Sequence, residues 1–393
     1  MCKVMEKKKV LMLASVASMI DQFNMPNIRL LQSMGYEVHT ACNFKQGNTC
    51  STQRIQKLKK ELQQMAVHPH QWDCPRDLSS FRDCCRAYQQ LLHIISKYPF
   101  AWIHCHSPVG GALARMAAHR KNIRIIYTVH GFHFYKGAPL RNWMLYYPAE
   151  KLLAYWTDIL VTVNLEDYRF AERNLKAGRV FYIPGIGIDT EKFRTQWQGT
   201  KEERMLFYSK YKIPEHAVVL LSVGELSSRK NHRMVMNALS AMRRKDVYYL
   251  ICGQGPLREE LQRYARRLGV AGRIRMPGYQ EDLSLVYQNA DIFVFPSIQE
   301  GMPAALMEAM AAGLPCVVSD IRGNRELVTQ AGGARFRMGH PEQSEQLERV
   351  LVRLIENEKL RNVCGAYNRK KIKAYALSAV QDRMKVIYAA MQP

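Results

Sequence analysis

The stretch DIFVFPSIQEGMPAALMEAMAAG, residues 291–313, joins a short apolar run to a polar loop and then to a segment rich in Ala and Met. The apolar run at residues 291–295 predicts a buried strand. The segment after Pro303 predicts a helix that ends near Gly313, because glycine favours helix C-termini. A strand that leads through a loop into a helix is the repeating unit of a parallel α/β sheet.

The same order of apolar run, loop and amphipathic segment recurs along the whole chain. Strand candidates in the first half lie at residues 10–14, 37–42, 65–68, 102–105, 124–130, 158–163 and 180–184. Those in the second half lie at residues 217–223, 247–252, 273–276, 291–295, 315–319 and 334–336. This alternation predicts parallel sheets covered by helices on both faces, so the fold class is α/β with two doubly wound domains.

Length and turn chemistry place the domain boundary. A chain of 393 residues is long enough for two domains, each with its own core. The turn-forming run Pro184-Gly185-Ile186-Gly187 separates them. We therefore predict an N-terminal domain at residues 1–185 and a second domain at 186–372. A final helix at about 373–393 could pack back on the first domain.

The charge balance is strongly basic. The net charge is +23, and residues 1–150 hold 20 basic against 8 acidic side chains. Such an excess implies a polyanionic neighbour, which can be nucleic acid, an anionic membrane or a phosphate-bearing substrate. The ordinary share of apolar and charged residues excludes a disordered, fibrous or low-complexity protein.

Other features of composition favour a folded protein of a reducing compartment. Ten cysteines contain no C-x-x-C pair, and several lie in apolar runs. His104-Cys105-His106 alternates between the faces of a strand, so no metal site is expected there. The basic run at residues 7–9 and the apolar run after it imitate a secretory signal, but the helix and strand that follow favour the start of a domain. We find no apolar stretch of ~18 residues and expect no transmembrane helix.

Two carboxylates stand out in the quoted stretch. In open parallel sheets ligands bind beyond the carboxyl ends of the strands, so the loop that holds Glu300 is a candidate site. Glu308, separated from Glu300 by seven residues, lies in the helix. Both side chains could be solvated, but an acid in an apolar helix needs a buried partner.

The start of that helix is a candidate anion site. Gly301 allows close backbone approach, and Pro303 suits the first helical turn because its missing N–H costs nothing there. The amides of Gly301, Met302 and Ala304 are then available to an anion.

Two further loops follow strands of the second half. The loop at residues 224–232 contains Arg229 and Lys230, which could bind phosphate or form a solvated basic turn. The turn Gly253-x-Gly255 lacks the third glycine of a dinucleotide fingerprint, since Arg258 stands there. A nicotinamide cofactor is therefore not expected.

A fourth loop begins at His130 in the first half. Histidine at a strand end beside Gly131 could donate a hydrogen bond to a sugar or a leaving group, whereas His133 could simply pack among its aromatic neighbours. The segment that follows mixes aromatic residues with cations, which suits an interfacial membrane contact or a helix packed on its domain. Its residues are Trp143, Tyr146 and Tyr147, between Lys136 and Lys151.

Together these motifs resemble the family 4 retaining glycosyltransferases of the GT-B fold. The resemblance rests on Glu300-x7-Glu308, the loop at 224–232, Gly253-x-Gly255, His130-Gly131 and the run from Ile183-Pro184-Gly185 to Phe193. It covers residues 10 to about 388. Within the family, residues 15–26 and 130–147 are most similar to bacterial exopolysaccharide and capsule transferases of the EpsD type.

The resemblance implies a ligand cleft between two Rossmann-like domains, with an acceptor on the first and a nucleotide sugar, usually UDP-linked, on the second. By this likeness Glu308 would accept the ribose hydroxyls, Glu300 would hold the transferred sugar, and Lys230 with the amides after Gly301 would bind the diphosphate. His130 would contact the sugar or the acceptor. The remaining donor-site residues implied are Gly224, Arg229, Gly253, Gly255, Met302, Pro303 and Ala304.

The resemblance also implies a reaction and its setting. The nucleoside diphosphate would depart and the acceptor attack from the same face, which retains the anomeric configuration. No D-x-D motif is present, so neither a metal nor another cofactor is expected. Many relatives carry Arg where Glu225 stands here, and Arg229 could supply that cation. A polyprenyl-diphosphate-linked glycan would be the acceptor, for an enzyme that is cytoplasmic and attached to the anionic inner face of the membrane.

Two other classes remain open at this point. A nucleotide-sugar epimerase can use a similar two-domain cleft. A polyanion-binding or RNA-binding protein would account for the net charge directly, although no recognised nucleic-acid module is present and no nucleic-acid partner is expected.

Overall fold

The protein is described by a computed structural model that covers residues 7–48, 50–76, 80–193, 201–339 and 342–392. The described residues form two compact units. The first comprises those within Met1–Ile186 and Ser378–Pro393, and the second those within Gly187–Leu377. Each unit contains one parallel sheet covered by helices, as the α/β alternation predicts.

The elements are numbered in chain order. The strands are β1 (Lys9–Val16), β2 (Glu37–Asn43), β3 (His68–Gln71), β4 (Phe100–His106), β5 (Arg124–Val129), β6 (Ile159–Thr162), β7 (Arg179–Tyr182), β8 (Val218–Val223), β9 (Val247–Cys252), β10 (Ile274–Gly278), β11 (Ile292–Phe295), β12 (Cys316–Ser319) and β13 (Gly333–Phe336). The α-helices are α1 (Ala17–Met19), α2 (Met25–Ser33), α3 (Thr52–Gln64), α4 (Phe81–Lys97), α5 (Pro108–Arg120), α6 (Leu140–Ala154), α7 (Leu165–Asn174), α8 (Thr190–Phe193), α9 (Lys201–Tyr211), α10 (His232–Ala241), α11 (Arg258–Arg267), α12 (Ser284–Asn289), α13 (Ala304–Ala312), α14 (Asn324–Leu327), α15 (Gln343–Ile355), α16 (Glu358–Ile372) and α17 (Leu377–Ala389).

The sheet of the first unit has seven strands in the order β3-β2-β1-β4-β5-β6-β7. Its inner strand β1 contains the fully buried Leu11, Met12 and Leu13, because both faces of the sheet are covered. The strand order reverses between β1 and β4, which creates a topological switch point at the carboxyl ends of these strands.

The sheet of the second unit has six strands in the order β10-β9-β8-β11-β12-β13. Its switch point lies between β8 and β11, which pair directly through Ile292 and Leu220. The loops that follow these two strands are the loop with Lys230 and the loop with Glu300. The topology therefore brings together the two loops that the sequence singles out.

Several elements differ from their predicted positions by a few residues, and three of them have the following form. The strand predicted at 65–68 is found at His68–Gln71, because α3 continues to Gln64 and Ala66 turns the chain with a φ of +55°. The strand β1 continues to Val16 instead of ending at residue 14. The terminal helix predicted from residue 373 begins only at Leu377, after a 3-10 turn at Lys373–Tyr375.

The terminal helix α17 packs within the first unit. The ring of Tyr388 stacks on Trp102 at 5.4 Å, and Arg124 Nη1 donates to the carbonyl of Met391 at 3.1 Å. The nine cysteines among the described residues are free thiols. Within the described ranges, we find no helix that is both long and apolar enough to cross a bilayer.

Candidate functional site

The loops after β8 and β11 contact each other through their backbones. The amide of Ile298 donates to the carbonyl of Arg229 at 2.8 Å. Because β8 and β11 are adjacent parallel strands, their carboxyl ends lie side by side and the two loops form one surface. This is where an open α/β sheet places a ligand.

A cluster of three charges lies on this surface. Glu300 Oε1 is 2.7 Å from Lys230 Nζ and 2.7 Å from Arg229 Nη1. Lys230 is buried, and its ammonium lies 4.3 Å from the ring centroid of Phe295. Burial lowers the pKa of Lys230, while Glu300 opposes that shift. Two cations share one carboxylate, so the cluster keeps an excess positive charge that can meet an anion.

The helix α13 begins directly after this cluster. Pro303 is the residue before the first helical position instead of lying within the first turn, where the sequence predicts it. The first amides of a helix have no partner within it, and the helix dipole makes this end electropositive. A Cβ on Gly323 would lie 2.3 Å from the carbonyl oxygen of Gly301, so the loop is held closely by its neighbour.

The buried partner that Glu308 requires is Tyr287. The Tyr287 hydroxyl donates to Glu308 Oε2 at 2.9 Å and also lies 3.1 Å from the carbonyl of Ala305. Burial raises the pKa of the Glu308 carboxyl, and the hydrogen bond from Tyr287 opposes the shift. Sequence reasoning predicted that Glu308 has a partner but did not name Tyr287, which belongs to α12.

The glycines of the loops after β8 and β9 have packing roles that the structure shows directly. A Cβ on Gly253 would lie 1.8 Å from the carbonyl oxygen of Gly224, and one on Gly255 would lie 2.5 Å from that of Leu226. The loops after β8 and β9 therefore touch through their backbones. A Cβ on Gly224 itself would lie 3.1 Å from Lys230 Cε, so this glycine leaves space for the lysine stem.

Sequence reasoning missed Arg322. Its guanidinium is buried, and its Nε lies 3.3 Å from the carbonyl oxygen of Glu300. The available signal was its position shortly after the end of β12, at the same edge of the sheet. Glu225 is exposed. Its negative charge raises the pKa of Lys230 and so opposes the effect of burial.

His130 lies at the end of β5 in the first unit, beside two other histidines. His130 Nε2 is 3.1 Å from His106 Nδ1, and His106 Nε2 is 3.3 Å from Met12 Sδ. Burial lowers the pKa of His130 to about 4 and the pKa of His106 well below its usual value, so both rings are neutral at neutral pH.

The thioether of Met12 fixes the tautomers of His106 and His130. A thioether sulfur can only accept, so His106 donates through Nε2 and accepts through Nδ1. His130 must then donate through Nε2, which leaves its Nδ1 as the proton-free nitrogen. We predicted His130 as a donor toward a ligand; in this hydrogen-bond chain its N–H is directed at His106, which leaves Nδ1 as the nitrogen that can accept from a ligand.

His104 is held by other partners. Its Nε2 is 2.8 Å from Thr128 Oγ1, and its Nδ1 is 3.0 Å from the hydroxyl of Tyr388 in α17. Burial lowers its pKa to about 3. Each ring nitrogen therefore has a hydroxyl partner, which satisfies the hydrogen bonding of this buried histidine.

The aromatic residues of α6 pack on the core of the first unit. The ring of Phe134 lies 5.6 Å from Trp143 and 5.4 Å from Tyr147, and His133 lies 4.7 Å from Tyr146. Trp143, Tyr146 and Tyr147 are half-buried and pack against the core of the first unit, and their contact with a membrane stays a prediction. The alternative of a helix packed on its domain explains them.

Comparisons with known proteins agree with this arrangement. Residues 9–164 match the family model described as glycosyl transferase 4-like, and residues 206–371 match glycosyl transferases group 1. The chain is 32% identical to EpsD of Bacillus subtilis (strain 168), a glycosyltransferase by its name, over 98% of this chain and 97% of the relative. The chain belongs to the GT-B glycosyltransferases of the EpsD type.

Further relatives extend the match. This glycosyltransferase is 27% identical to UDP-Gal:alpha-D-GlcNAc-diphosphoundecaprenol alpha-1,3-galactosyltransferase of Escherichia coli, over 80% of this chain and 82% of the relative. Its fold is similar to that of HepE of Anabaena in complex with UDP and glucose, with a TM-score of 0.78 and 15% identity. The match covers 98% of this chain and 100% of the HepE chain. The family resolves the choice between sugar transfer and epimerisation in favour of transfer.

Proposed function

We propose that this glycosyltransferase moves a hexose or N-acetylhexosamine from a UDP-sugar to a polyprenyl-diphosphate-linked glycan in exopolysaccharide or capsule synthesis. The observation that carries the proposal is the Lys230–Glu300–Arg229 cluster beside the start of α13. The name of the E. coli relative contains both a UDP-linked donor and a diphosphoundecaprenol-linked acceptor, which supports the two substrate classes.

The donor is held by the second unit in this proposal. Lys230 and Arg229 bind the diphosphate together with the amides at the start of α13, where positive charge and unpaired N–H groups coincide. Glu308 accepts hydrogen bonds from the ribose hydroxyls. When the diphosphate binds the cations, Glu300 becomes available to the hydroxyls of the transferred sugar.

The reaction retains the anomeric configuration. The bond between the anomeric carbon and the diphosphate oxygen breaks, and the acceptor oxygen bonds to that carbon from the same face. The acceptor proton passes to the leaving diphosphate, whose growing charge Lys230 and the helix N-terminus stabilise. His130, with Nδ1 proton-free, accepts a hydrogen bond from a hydroxyl of the reacting sugars. The step needs no metal, because the cations of the chain neutralise the leaving group.

A panel of nucleotide sugars tests the donor assignment. We expect UDP-sugars to raise the melting temperature in the presence of EDTA, whereas GDP- and CMP-sugars raise it much less. Stabilisation only after a divalent metal is added would overturn the metal-free proposal. Conversion of the nucleotide sugar to an isomer without any acceptor would favour an epimerase.

The two glutamates should respond differently to neutralisation. Glu308→Gln is expected to weaken binding of free UDP by about ten- to a hundredfold, because hydrogen bonds to a charged group contribute about 1.5–3 kcal/mol. Glu300→Gln should leave UDP affinity within a few fold of the parent and reduce kcat for transfer. Calorimetry with UDP and steady-state kinetics measure the two effects.

The pH dependence separates Glu308 from other groups. Its pKa is raised by burial, so the carboxyl gains a proton at a higher pH than an ordinary glutamate as the solution is acidified. UDP affinity of the parent should accordingly fall on acidification before ordinary carboxylates titrate, and Glu308→Gln should lack this step. Equal UDP affinity and the same pH profile in Glu300→Gln and Glu308→Gln would contradict the division of roles.

The membrane contact proposed for this enzyme lies on the outer face of α6. Leu140, Met144, Leu145 and Leu152 are each more than half exposed, and Leu145 and Leu152, seven residues apart, lie on the face opposite Trp143. Single exposed apolar side chains are normal, but several of them together on one helix are typical of an interaction surface. The basic residues beside them are Lys136, Arg141 and Lys151, all exposed.

The position of this face is fixed by the packing of α6. The buried Arg115 of α5 forms a bidentate pair with Glu150 of α6, with Nη2 3.0 Å from Oε2. Asn142 Nδ2 donates to the carbonyl of His133 at 2.9 Å. An apolar face with flanking cations suits the headgroup region of an anionic bilayer, to which each basic residue contributes about 1 kcal/mol.

Vesicle co-sedimentation tests this contact. The parent should bind vesicles that contain anionic lipid at low salt and leave neutral vesicles largely unbound, and binding should weaken with salt because charges are screened over about 10 Å at 0.1 M. The double variant Leu145→Glu/Leu152→Glu should lose most of this binding. Phe81→Glu, which replaces an exposed apolar residue of α4, is the matched control and should bind like the parent. Equal binding by the double variant would contradict the role of α6.

A further inference from the structure

A second cluster of potential ligands lies on the edge strands of the first sheet. His39 of β2 and His68 of β3 are register partners in the parallel pair. Glu37 precedes His39 by two residues and therefore projects from the same face of the sheet. The three side chains converge although they belong to two different strands.

The donor atoms of these side chains have separations that suit a metal ion. Glu37 Oε1 is 3.0 Å from His39 Nε2 and 3.6 Å from His68 Nε2, and all three atoms lie within 4.8 Å of one another. Zinc binds nitrogen and carboxylate oxygen at about 2.0–2.1 Å, so two ligands of a tetrahedral site lie about 3.3 Å apart. Small rotations of the exposed His68 would bring the set to that geometry.

Each of the two less exposed ligands is oriented by another group. His39 Nδ1 is 2.9 Å from His70 Nε2, and Glu37 Oε2 is 3.8 Å from Lys9 Nζ. In metal sites, a contact to the ligand atom that does not bind the metal fixes the orientation of the side chain and, for a histidine, its tautomer. With a metal on Nε2, His39 would keep its proton on Nδ1 and donate it to His70.

We propose that Glu37, His39 and His68 form a binding site for Zn²⁺, completed by water. Two imidazoles and one carboxylate are a donor set that zinc accepts readily, and three protein ligands leave a position for solvent.

The site is separate from the proposed transfer chemistry. Glu37 is the first residue of β2 and His68 the first of β3, so the cluster lies at the amino ends of these strands. The ligand-binding edge lies at the other end, about 20 Å away along a seven-residue strand. The ion would clamp the short edge strand β3 onto β2 and stabilise the first unit.

Zinc titration of the full chain tests the proposal. After treatment with EDTA and dialysis, the parent should bind one Zn²⁺ by calorimetry and show a higher melting temperature with the ion. Co²⁺ should give the absorption of a nitrogen- and oxygen-ligated site, without thiolate charge transfer. His68→Gln changes an exposed side chain, so it should fold normally and bind Zn²⁺ at least tenfold more weakly. Glu37→Gln should show a similar loss.

Two controls make the outcome specific. His93→Gln removes an exposed histidine of α4 and should retain the affinity of the parent. Sugar transfer by His68→Gln should match the parent, which separates this site from the proposed function. Equal Zn²⁺ affinity in the parent, His68→Gln and Glu37→Gln would overturn the proposal, as would an equal loss in His93→Gln.

Discussion

Lys230→Ala is expected to weaken binding of an intact UDP-sugar by about ten- to a hundredfold and to change binding of uridine much less. Lys230 is the buried cation of the proposed diphosphate site, and a hydrogen bond to a charged group contributes about 1.5–3 kcal/mol. Uridine carries no phosphate, so it does not use this contact. Calorimetry with the two ligands measures the difference.

The controls for Lys230 address packing and charge. Lys230→Met keeps an apolar stem over the ring of Phe295 and removes the charge, so it should reproduce the loss. Lys245→Ala removes an exposed lysine of the same unit and should bind the donor like the parent. Glu300 keeps its pair with Arg229 in these variants, which protects the loop. Equal weakening of uridine and UDP-sugar would show a general disturbance and contradict the assignment.

His130→Ala is expected to lower kcat by about a hundredfold or more while UDP affinity stays within a few fold of the parent. Proton-accepting side chains at a reacting centre contribute about 10²–10⁴ to the rate. His130 belongs to the first unit, whereas the loops proposed to bind UDP belong to the second. Transfer kinetics and UDP calorimetry separate the two effects.

A spectroscopic readout accompanies this variant. Nitrogen-15 chemical shifts should show that His130 carries its proton on Nε2 and that Nδ1 is free of a proton, as the chain to His106 and Met12 requires. His133→Ala, in the same loop, is the control and should transfer sugar at a rate close to that of the parent. A kcat of His130→Ala close to that of the parent would contradict the prediction and show that His130 has a structural role only.

The alternation of apolar runs and helices was sufficient to predict the fold. Residues of a parallel strand are buried on both faces, so each strand gives an apolar run that is visible without knowledge of its neighbours. The strand at 65–68 was misplaced because β3, His68–Gln71, is a short polar edge strand without such a run. An edge strand is covered less than a central one, so its sequence carries a weaker signal.

The sequence predicted the loops of the candidate site but not the side chains that contact its residues. Lys230 and Glu300 could be located because both follow strands at the switch point. Tyr287 beside Glu308, and Met12 behind His106, could not be named, because their contacts depend on which strands and helices become neighbours. The outward face of α6 was missed for a similar reason, since aromatic residues suited to a bilayer are equally suited to a core.

The stereochemistry of the transfer product tests the central claim most directly. The enzyme would be incubated in EDTA with an α-linked UDP-sugar labelled with carbon-13 and a polyprenyl-diphosphate-linked acceptor, and the new linkage would be examined by NMR. We predict an α-linked product and release of UDP, with no isomerised nucleotide sugar when the acceptor is omitted. A β-linked product would contradict retention, and acceptor-independent isomerisation would contradict transfer itself.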